Sequence, residues 1–201
     1  MLPLRNMSRK ILYIINPIAG TRTKKDLQVY IEQRTRTAGI PFQVVESVPG
    51  GDYSFLHTKL QTEGFTDVVI AGGDGTVSQV VGSLRSLPLH FGIIPCGSGN
   101  GLALAAGISK KPEKAMDVVL GGVPVATDAF YFNNTFACML CGLGFDAKVA
   151  HDFARQSKRG LSTYVKQVVR NFFNAKPYTF EIDINGQSIQ TNAFFISIAN
   201  S

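Results

Sequence analysis

The sequence predicts an α/β fold in which an α/β domain is followed by a mostly antiparallel β domain. Over the first 126 residues, apolar runs that suit buried strands alternate with helical runs, which is typical of a parallel sheet with helices on both faces. After that point, short apolar runs are separated by turn signals. The length of 201 residues is sufficient for two cores. We therefore expect domains at residues 1–126 and 127–201.

The first domain contains predicted strands at residues 11–16, 42–47, 67–71 and 91–95. Predicted helices lie at residues 23–38, 53–63, 76–84, 101–107 and 112–120. Pro112 suits the first turn of a helix, where its missing N–H leaves no hydrogen bond unmade. Gly121 and Gly122 suit the end of the same helix.

The second domain contains predicted strands at residues 126–132, 136–143, 178–184 and 188–199. Asn133-Asn134 and Asn185-Gly186 indicate hairpin turns, because these residue types tolerate the positive φ that such turns need. Between the hairpins we expect a helical stretch at residues 146–174, interrupted near Arg159-Gly160.

The most informative stretch is a glycine cluster with one carboxylate, Gly72-Gly73-Asp74-Gly75-Thr76, between an apolar run and a helical run. Glycines let the backbone approach an anion, and a helix N-terminus aims N–H groups at it. A side chain at Gly73 would then enter the space of a phosphate. Because a carboxylate repels phosphate, Asp74 suits a metal, a hydroxyl proton or a ribose. The alternative is a tight turn in which Asp74 caps the helix.

Two other loops follow predicted strands in the same way. Cys96-Gly97-Ser98-Gly99-Asn100-Gly101 follows the fourth strand, and Asn16-Pro17-Ile18-Ala19-Gly20 follows the first. In a parallel sheet, all three loops lie at the carboxyl ends of strands, where ligands bind, so together they predict a nucleotide or polyphosphate site. The glycine spacing fits neither G-x-G-x-x-G nor G-x-x-x-x-G-K-[ST], which disfavours a dinucleotide-binding Rossmann fold and a Walker-type P-loop.

These loops resemble the motifs of a known superfamily. The Gly72–Thr76 stretch resembles the GGDGT signature of diacylglycerol kinases, sphingosine and ceramide kinases, NAD kinases and phosphofructokinases. The segment from Pro95 to Ala103 resembles the P-x-G-[ST]-x-N loop of the lipid kinases among them, and Asn16-Pro17-x-x-Gly20 is similar to their first nucleotide loop. The motifs stand in the family's order across the chain, which is therefore identified as a member of the diacylglycerol-kinase-like lipid kinase superfamily.

The resemblance implies an NAD kinase/phosphofructokinase-like α/β nucleotide-binding domain and a β-rich lipid-substrate domain. It also implies a phosphotransferase that uses ATP and Mg²⁺ and transfers the γ-phosphoryl of ATP to a hydroxyl of a membrane lipid, such as diacylglycerol or a sphingoid base. Asp74 is the expected catalytic residue, and Asp74 and Asp128 are the expected metal ligands. The expected nucleotide-binding residues are Asn16, Gly20, Ser47, Gly72, Gly73, Asp74, Gly75, Thr76, Ser78, Gly97, Ser98, Gly99 and Asn100.

One departure from the family leaves the acceptor open. Bacterial diacylglycerol kinases usually carry an aspartate after the loop asparagine, where this sequence has Gly101, so the loop is closer to the sphingosine and ceramide kinases. Two other functions stay open. One is a kinase of a soluble substrate such as NAD, although acidic motifs for nicotinamide and ribose are not found. The other is a non-catalytic nucleotide- or lipid-binding module.

Composition and charge indicate the cellular location of the protein and the kinds of partner that it can bind. The chain has a net charge of +6 and no apolar run of membrane-spanning length, and its polar, basic first ten residues do not suit a signal peptide, so we expect a cytoplasmic protein. Residues 155–176 interleave basic and apolar side chains. They suit either a peripheral membrane contact or a core helix with a solvated basic face. Nucleic acid is not expected as a partner, because no basic run carries a recognised motif.

Two smaller expectations concern the cysteines and the last predicted strand. Cys138 and Cys141 form a C-x-x-C within an apolar run, which we interpret as part of a strand core. The apolar run at residues 193–199 has no later strand to pair with in this sequence. We expect the chain to be the N-terminal portion of a kinase, to bind nucleotide without turnover, and to favour a homo-oligomer through this strand edge.

Overall fold

The computed structural model describes residues 9–18, 24–154 and 175–198. Contacts divide the chain into one unit that ends at Met139 and another that begins at Leu140. The functional boundary after residue 126 stays a prediction.

Four parallel strands form the sheet of the first unit: β1 (Ile11–Ile15), β2 (Phe42–Glu46), β3 (Asp67–Gly72) and β4 (His90–Pro95). They lie in the order β2-β1-β3-β4. The two central strands, β1 and β3, are buried along their whole length, which explains why their sequences read as continuous apolar runs. The predicted parallel sheet is confirmed.

The helices of this unit are α1 (Lys24–Thr37), α2 (His57–Thr62), α3 (Asp74–Leu84), α4 (Gly101–Ala105) and α5 (Pro112–Gly121). A short 3₁₀ helix, Ser54–Leu56, precedes α2, so the single helix predicted at residues 53–63 is shorter and begins as a tighter turn. Pro112 occupies the first turn of α5, as predicted.

Helices cover both faces of the sheet because alternate strand residues point to opposite sides. Leu12 and Ile14 of β1 face one core, together with residues of α2 and α3. Tyr13 and Ile15 face the other core, together with residues of α1 and α5. The first unit therefore has three layers, with the sheet in the middle.

Arg9 fixes the edge of the sheet where the strands begin. Its guanidinium lies 2.7 Å from the Asp67 carboxylate, and it also donates to the carbonyl oxygens of Val119 and Leu120 at 3.1 and 3.0 Å. Asp67 is 5% exposed, so the ion pair neutralises a buried charge. The same contacts satisfy carbonyls at the end of α5, which places that helix end at the edge opposite the carboxyl ends of the strands.

A hairpin completes the first unit. Its strands, β5 (Phe130–Phe132) and β6 (Thr135–Ala137), are antiparallel, and Asn133 and Asn134 both have positive φ, as predicted for the turn. Arg85, which follows α3, stacks over the Phe136 ring at 4.8 Å. Of the residues predicted as a strand at 126–132, only Phe130–Phe132 form one.

The second unit contains β7 (Cys141–Gly144), α6 (Phe145–Ala154), β8 (Tyr178–Ile184), β9 (Gln187–Ala193) and β10 (Phe195–Ile198). β8 and β9 form the predicted hairpin around Asn185 and Gly186. The single strand predicted at 136–143 is divided between β6 and β7, which separates Cys138 from the strand that begins at Cys141. Of the helix predicted at 146–174, residues 155–174 lie outside the described residues.

The last predicted strand is also divided. A bend at Phe194, whose carbonyl accepts from the Phe145 N–H at 2.8 Å, separates β9 from β10. β9 pairs with β8, whereas β10 pairs antiparallel with β7. The apolar run therefore pairs with earlier strands, so the lack of a later strand does not leave it unpaired. Self-association through its other edge stays a prediction.

Candidate functional site

The strand order places a crevice between β1 and β3. From β1 the chain continues to β2 on one side, and from β3 it continues to β4 on the other. Ligands of open α/β sheets bind at the carboxyl ends of the strands where the order reverses in this way. Asn16 follows β1 at this point, and Gly73 follows β3.

A hydrogen bond crosses this crevice. The Asn16 side-chain nitrogen donates to the Thr76 hydroxyl at 2.8 Å, and the Asn16 side-chain oxygen accepts from the Ile18 N–H at 3.0 Å. Both predicted nucleotide-binding side chains therefore hold the first loop against α3. Their contact with a nucleotide stays a prediction.

The N-terminus of α3 has no side-chain cap. Its N-cap residue is Gly73, in an extended conformation, and the first helical hydrogen bond runs from the Val77 N–H to the Gly73 carbonyl at 3.1 Å. The N–H groups of the first turn thus have no intrahelical acceptor. Gly75 is exposed in this turn, and a Cβ built there would have no atom within 4 Å. These properties suit the binding of an anion.

The two glycine loops touch each other. A Cβ on Gly97 would lie 2.6 Å from the Gly73 Cα, and a Cβ on Gly73 would lie 3.1 Å from the Gly97 Cα. The Cys96 N–H donates to the Gly72 carbonyl at 2.8 Å. A Cβ at Gly73 would therefore press on the second loop. Whether a longer side chain there would also enter the space of a phosphate stays a prediction. A side chain at Gly97 would clash with the backbone of Gly73, and one at Gly73 would make an unusually tight contact with Gly97, so glycine suits both positions.

Asn100 holds the second loop in shape. It is 3% exposed and has a left-handed backbone, with φ 60° and ψ 44°. Its side-chain nitrogen donates to the Gly97 carbonyl, and its side-chain oxygen accepts from the Gly97 N–H, both at 2.7 Å. Asparagine is among the few residues that tolerate this backbone. The sequence predicted only a nucleotide contact here and did not reveal this structural role.

Two substitutions separate the contributions of Asn100. We expect Asn100→Gly to lower the free energy of unfolding by about 1–3 kcal/mol, because it removes two buried hydrogen bonds but keeps the left-handed backbone. Asn100→Ala should cost roughly 1 kcal/mol more, because alanine is also strained there. Urea unfolding of both variants checks this order. A more stable alanine variant would contradict the structural role.

Asp74 lies between the N-termini of α3 and α4. Its Oδ1 accepts from the Leu102 N–H at 3.4 Å, and a helix N-terminus favours a negative charge. Cβ atoms on Gly99 and Gly101 would lie 3.0 and 3.9 Å from its carboxylate oxygens, so these glycines leave room around the charge. The aspartate thus contacts the helix of the other glycine loop.

The single carboxylate at this edge suits a magnesium ion that is also bound by the phosphates of a ligand. Within the described ranges, no group of three or more His, Cys, Asp or Glu residues could hold a metal. Mg²⁺ usually binds proteins through one or two carboxylates and keeps water and substrate phosphates as its other ligands. Asp74 supplies one such carboxylate. Asp128 lies in the exposed, irregular segment 122–129, and its part in a metal site stays a prediction.

The remaining predicted residues are distributed along the same edge. Ser47 directly follows β2, and its N–H donates to the Ile15 carbonyl at 2.9 Å. Ser78 is half-buried in α3, whereas Ser98 is exposed in the second glycine loop. Gly20 lies outside the described residues.

The fold and this edge define an α/β protein with two apposed glycine loops and one carboxylate at the switch point of a parallel sheet. The chain belongs to the diacylglycerol kinase catalytic domain family, whose model matches residues 10–131. This is a family of lipid kinases, and the membership predicted from the three loops is confirmed.

Individual relatives agree with this assignment. The chain is 27% identical over 195 residues to a diacylglycerol kinase of Bacillus subtilis, covering 94% of this chain and 64% of that protein. It is 28% identical over 173 residues to a probable lipid kinase YegS-like of Chromohalobacter salexigens, covering 83% and 56%. The crystal structure of a putative diacylglycerol kinase from Bacillus anthracis shares the fold, with a TM-score of 0.75 and 21% identity over 95% of this chain and 66% of that chain.

The chain is shorter than these relatives. It spans roughly half of the curated relatives that it matches, between 46% and 64% of their length. The activity, substrates and partners of a whole protein are therefore matters for proposal.

Proposed function

We propose that this chain forms the nucleotide-binding part of an ATP-dependent lipid kinase. The reaction transfers the γ-phosphoryl of ATP to a hydroxyl of a membrane lipid. The observation that carries the proposal is Asp74, which lies between two helix N-termini at the switch point of the sheet in a chain of the diacylglycerol kinase family.

The residues at this edge suit phosphoryl transfer, which needs positioning and charge stabilisation above all. The N–H groups at the start of α3 would bind phosphate oxygens, and the exposed space at Gly75 would leave them accessible. In the reaction, a bond forms between the lipid oxygen and the γ-phosphorus, the bond from the γ-phosphorus to the bridging oxygen of ADP breaks, and the hydroxyl proton passes to a carboxylate or to water. Asp74 would orient the hydroxyl or hold the metal. Magnesium, when bound, would neutralise charge on the phosphates.

The acceptor is proposed as a class, diacylglycerol or a sphingoid base. Gly101 stands where an aspartate is usual in bacterial diacylglycerol kinases, and a Cβ there would be 3.9 Å from the Asp74 Oδ1. A second carboxylate is therefore absent from this position beside Asp74. A sphingoid base is kept as an acceptor for this reason.

Phosphorylation assays test the proposal. The purified protein is given Mg-ATP with diacylglycerol, sphingosine or NAD, the two lipids in mixed micelles, and labelled product is measured. Lipid phosphorylation by the protein in a longer form supports the proposal, whereas phosphorylation of NAD alone contradicts it. Nucleotide binding without any turnover in a longer form would indicate the non-catalytic module. Residues 1–201 are expected to bind nucleotide without turnover, and the same assay decides this.

We also propose a cytoplasmic location with peripheral binding to a membrane surface, where the lipid acceptor lies. Within residues 9–18, 24–154 and 175–198, no helix is long and apolar enough to cross a membrane. The support for surface binding is the basic and apolar pattern of residues 155–176, most of which lie outside the described residues.

Vesicle sedimentation tests the membrane contact. We expect joint replacement of Lys158, Arg159 and Lys166 by glutamate to weaken binding to anionic vesicles at low salt, because each cation near such a surface contributes about 1 kcal/mol. Neutral vesicles should bind weakly throughout.

A control of equal charge is available on α5 and the segment before it, where three exposed lysines can be replaced by glutamate: Lys110, Lys111 and Lys114. The control should bind anionic vesicles better than the first variant. If both variants lose the same affinity for anionic vesicles, net charge alone would explain the binding. That result would contradict a specific role of residues 155–176.

A further inference from the structure

The sequence contains two Asn-Gly pairs, Asn100-Gly101 and Asn185-Gly186. In both pairs the asparagine has a left-handed backbone, with φ 60° and 51°. A glycine after an asparagine favours attack on the asparagine side chain, because without a Cβ its backbone nitrogen can reach the side-chain carbonyl carbon. The two pairs share this sequence but differ in their surroundings, so we expect them to differ in chemical stability.

The pair Asn185-Gly186 forms the tip of an exposed hairpin. It is the two-residue loop between β8 and β9, which closes at the pair of Ile184 and Gln187, and both of its residues are exposed. Most residues of β8 and β9 are exposed as well, so little buried surface opposes a local opening of the turn. The Asn185 side chain can therefore rotate toward the Gly186 nitrogen at small cost.

The pair Asn100-Gly101 lies in a packed loop. Asn100 is 3% exposed, and its side chain is bonded to both the N–H and the carbonyl of Gly97 at 2.7 Å. Gly97 in turn packs against Gly73 of the other glycine loop. Rotation of the Asn100 side chain toward the Gly101 nitrogen would break both hydrogen bonds. The loop thus protects the asparagine that holds it in shape.

We propose that Asn185 is a modification site at which the protein deamidates spontaneously, whereas Asn100 is protected by the fold. The Gly186 nitrogen loses its proton and forms a bond to the Asn185 Cγ. The bond from Cγ to the side-chain nitrogen breaks, and that nitrogen takes up a proton and leaves as ammonia. Water then opens the resulting succinimide ring at one of its two carbonyls, which gives aspartate or isoaspartate. The inference does not depend on the proposed function.

The reaction has different consequences at the two positions. At Asn185 it adds a carboxylate, which lowers the net charge of +6 by one. Isoaspartate also lengthens the main chain of the turn by one atom, which should weaken the closing pair of Ile184 and Gln187. At Asn100 the product would lack the nitrogen that donates to the Gly97 carbonyl, so the glycine loop would lose a bond that holds it.

Mass spectrometry of aged protein tests the proposal. The purified, folded protein is kept in a mildly alkaline buffer, and tandem spectra of its proteolytic peptides give the converted fraction of each asparagine over time. We expect Asn185 to convert at least about tenfold faster than Asn100, because a local opening that costs about 1.4 kcal/mol already lowers the rate tenfold. Equal rates, or a faster conversion of Asn100, would overturn the inference.

The same measurement in guanidinium chloride separates structure from sequence. In the unfolded chain the two asparagines should convert at similar rates, because both are followed by glycine. If Asn185 stays much faster than Asn100 in the unfolded chain, the neighbouring sequence and not the fold sets the rates. That result would overturn the protective role of the loop.

The other hairpin supplies a matched control. Asn133 and Asn134 form the two-residue turn between β5 and β6, and both are exposed with positive φ, 42° and 63°. Each is followed by a residue that has a Cβ, so both should stay intact while Asn185 converts.

Asn134→Gly gives this second turn an Asn-Gly sequence. Glycine accepts the positive φ of position 134 without strain, so the variant should fold, which circular dichroism checks. We expect Asn133 to convert in the folded variant at a rate close to that of Asn185. An Asn133 that stays intact there would show that exposure in a turn and a following glycine are not sufficient, and the inference would fail.

Discussion

Asp74→Asn is expected to leave the protein folded and to lower its rate of lipid phosphorylation by about 100-fold or more, the scale of a lost acid–base or charge-positioning group. The asparagine oxygen can still accept from the Leu102 N–H, which the Asp74 carboxylate meets at 3.4 Å. The substitution therefore removes the charge and keeps the helix contact. Initial rates at saturating ATP, in a form of the protein that turns over, measure the effect, and thermal unfolding checks the fold.

Asp117→Asn is the control for this prediction. It also removes one carboxylate, but from the exposed surface of α5, where Asp117 pairs with Arg34 at 2.7 Å. Such pairs contribute little, so both rate and stability should stay close to those of the unaltered protein. An Asp74→Asn variant that unfolds much earlier would show that the negative charge stabilises the fold, and one that keeps its full rate would show that the reaction does not need the charge; either result would contradict the prediction.

Gly75→Val should weaken the binding of an ATP analogue more than tenfold, which corresponds to about 1.4 kcal/mol. A Cβ at this exposed position would have no atom of another part of the protein within 4 Å, so the side chain is expected to obstruct mainly what approaches the start of α3. Valine is also a better helix residue than glycine, and the free energy of unfolding should not fall. Isothermal titration with the analogue and urea unfolding measure the two effects.

Two other glycines complete the test. Gly121→Val, at the end of α5, also enters open space but lies at the opposite edge of the sheet, so it should change neither affinity nor stability appreciably. Gly73→Val should destabilise the fold, because its Cβ would press on Gly97. Equal affinities for the Gly75 and Gly121 variants would mean that no phosphate lies at the start of α3.

Local sequence patterns were sufficient to predict the parallel sheet and most of the helices of the first unit, although not its end at Met139. Buried central strands give continuous apolar runs, and the glycine loops mark the strand ends, so the parallel sheet and the family could be predicted from residues alone. The predicted site residues Asn16 and Thr76 are brought together by β1 and β3, as expected for loops at one sheet edge. Which oxygen of which ligand they contact depends on a bound molecule and stays a prediction.

The contacts that hold the loops could not be predicted, because they join residues that no local pattern relates. The bond from Leu102 to Asp74 and the contact of Gly73 with Gly97 both connect separate strand–helix units. The division of the last strand has a similar cause. An apolar run can continue through a bend, and only the pairing of β9 with β8 and of β10 with β7 shows where it is broken.

The contact between Gly73 and Gly97 has a consequence for how this sequence can evolve. Each residue already has the smallest side chain, so neither can shrink to accommodate a larger neighbour. At many core positions, a larger residue can be compensated by a smaller neighbour. No such compensating pair of substitutions exists for these two glycines. We expect random mutagenesis of the first unit, followed by selection for folded protein, to recover glycine alone at both positions, while the exposed Gly75 varies until nucleotide binding is also selected.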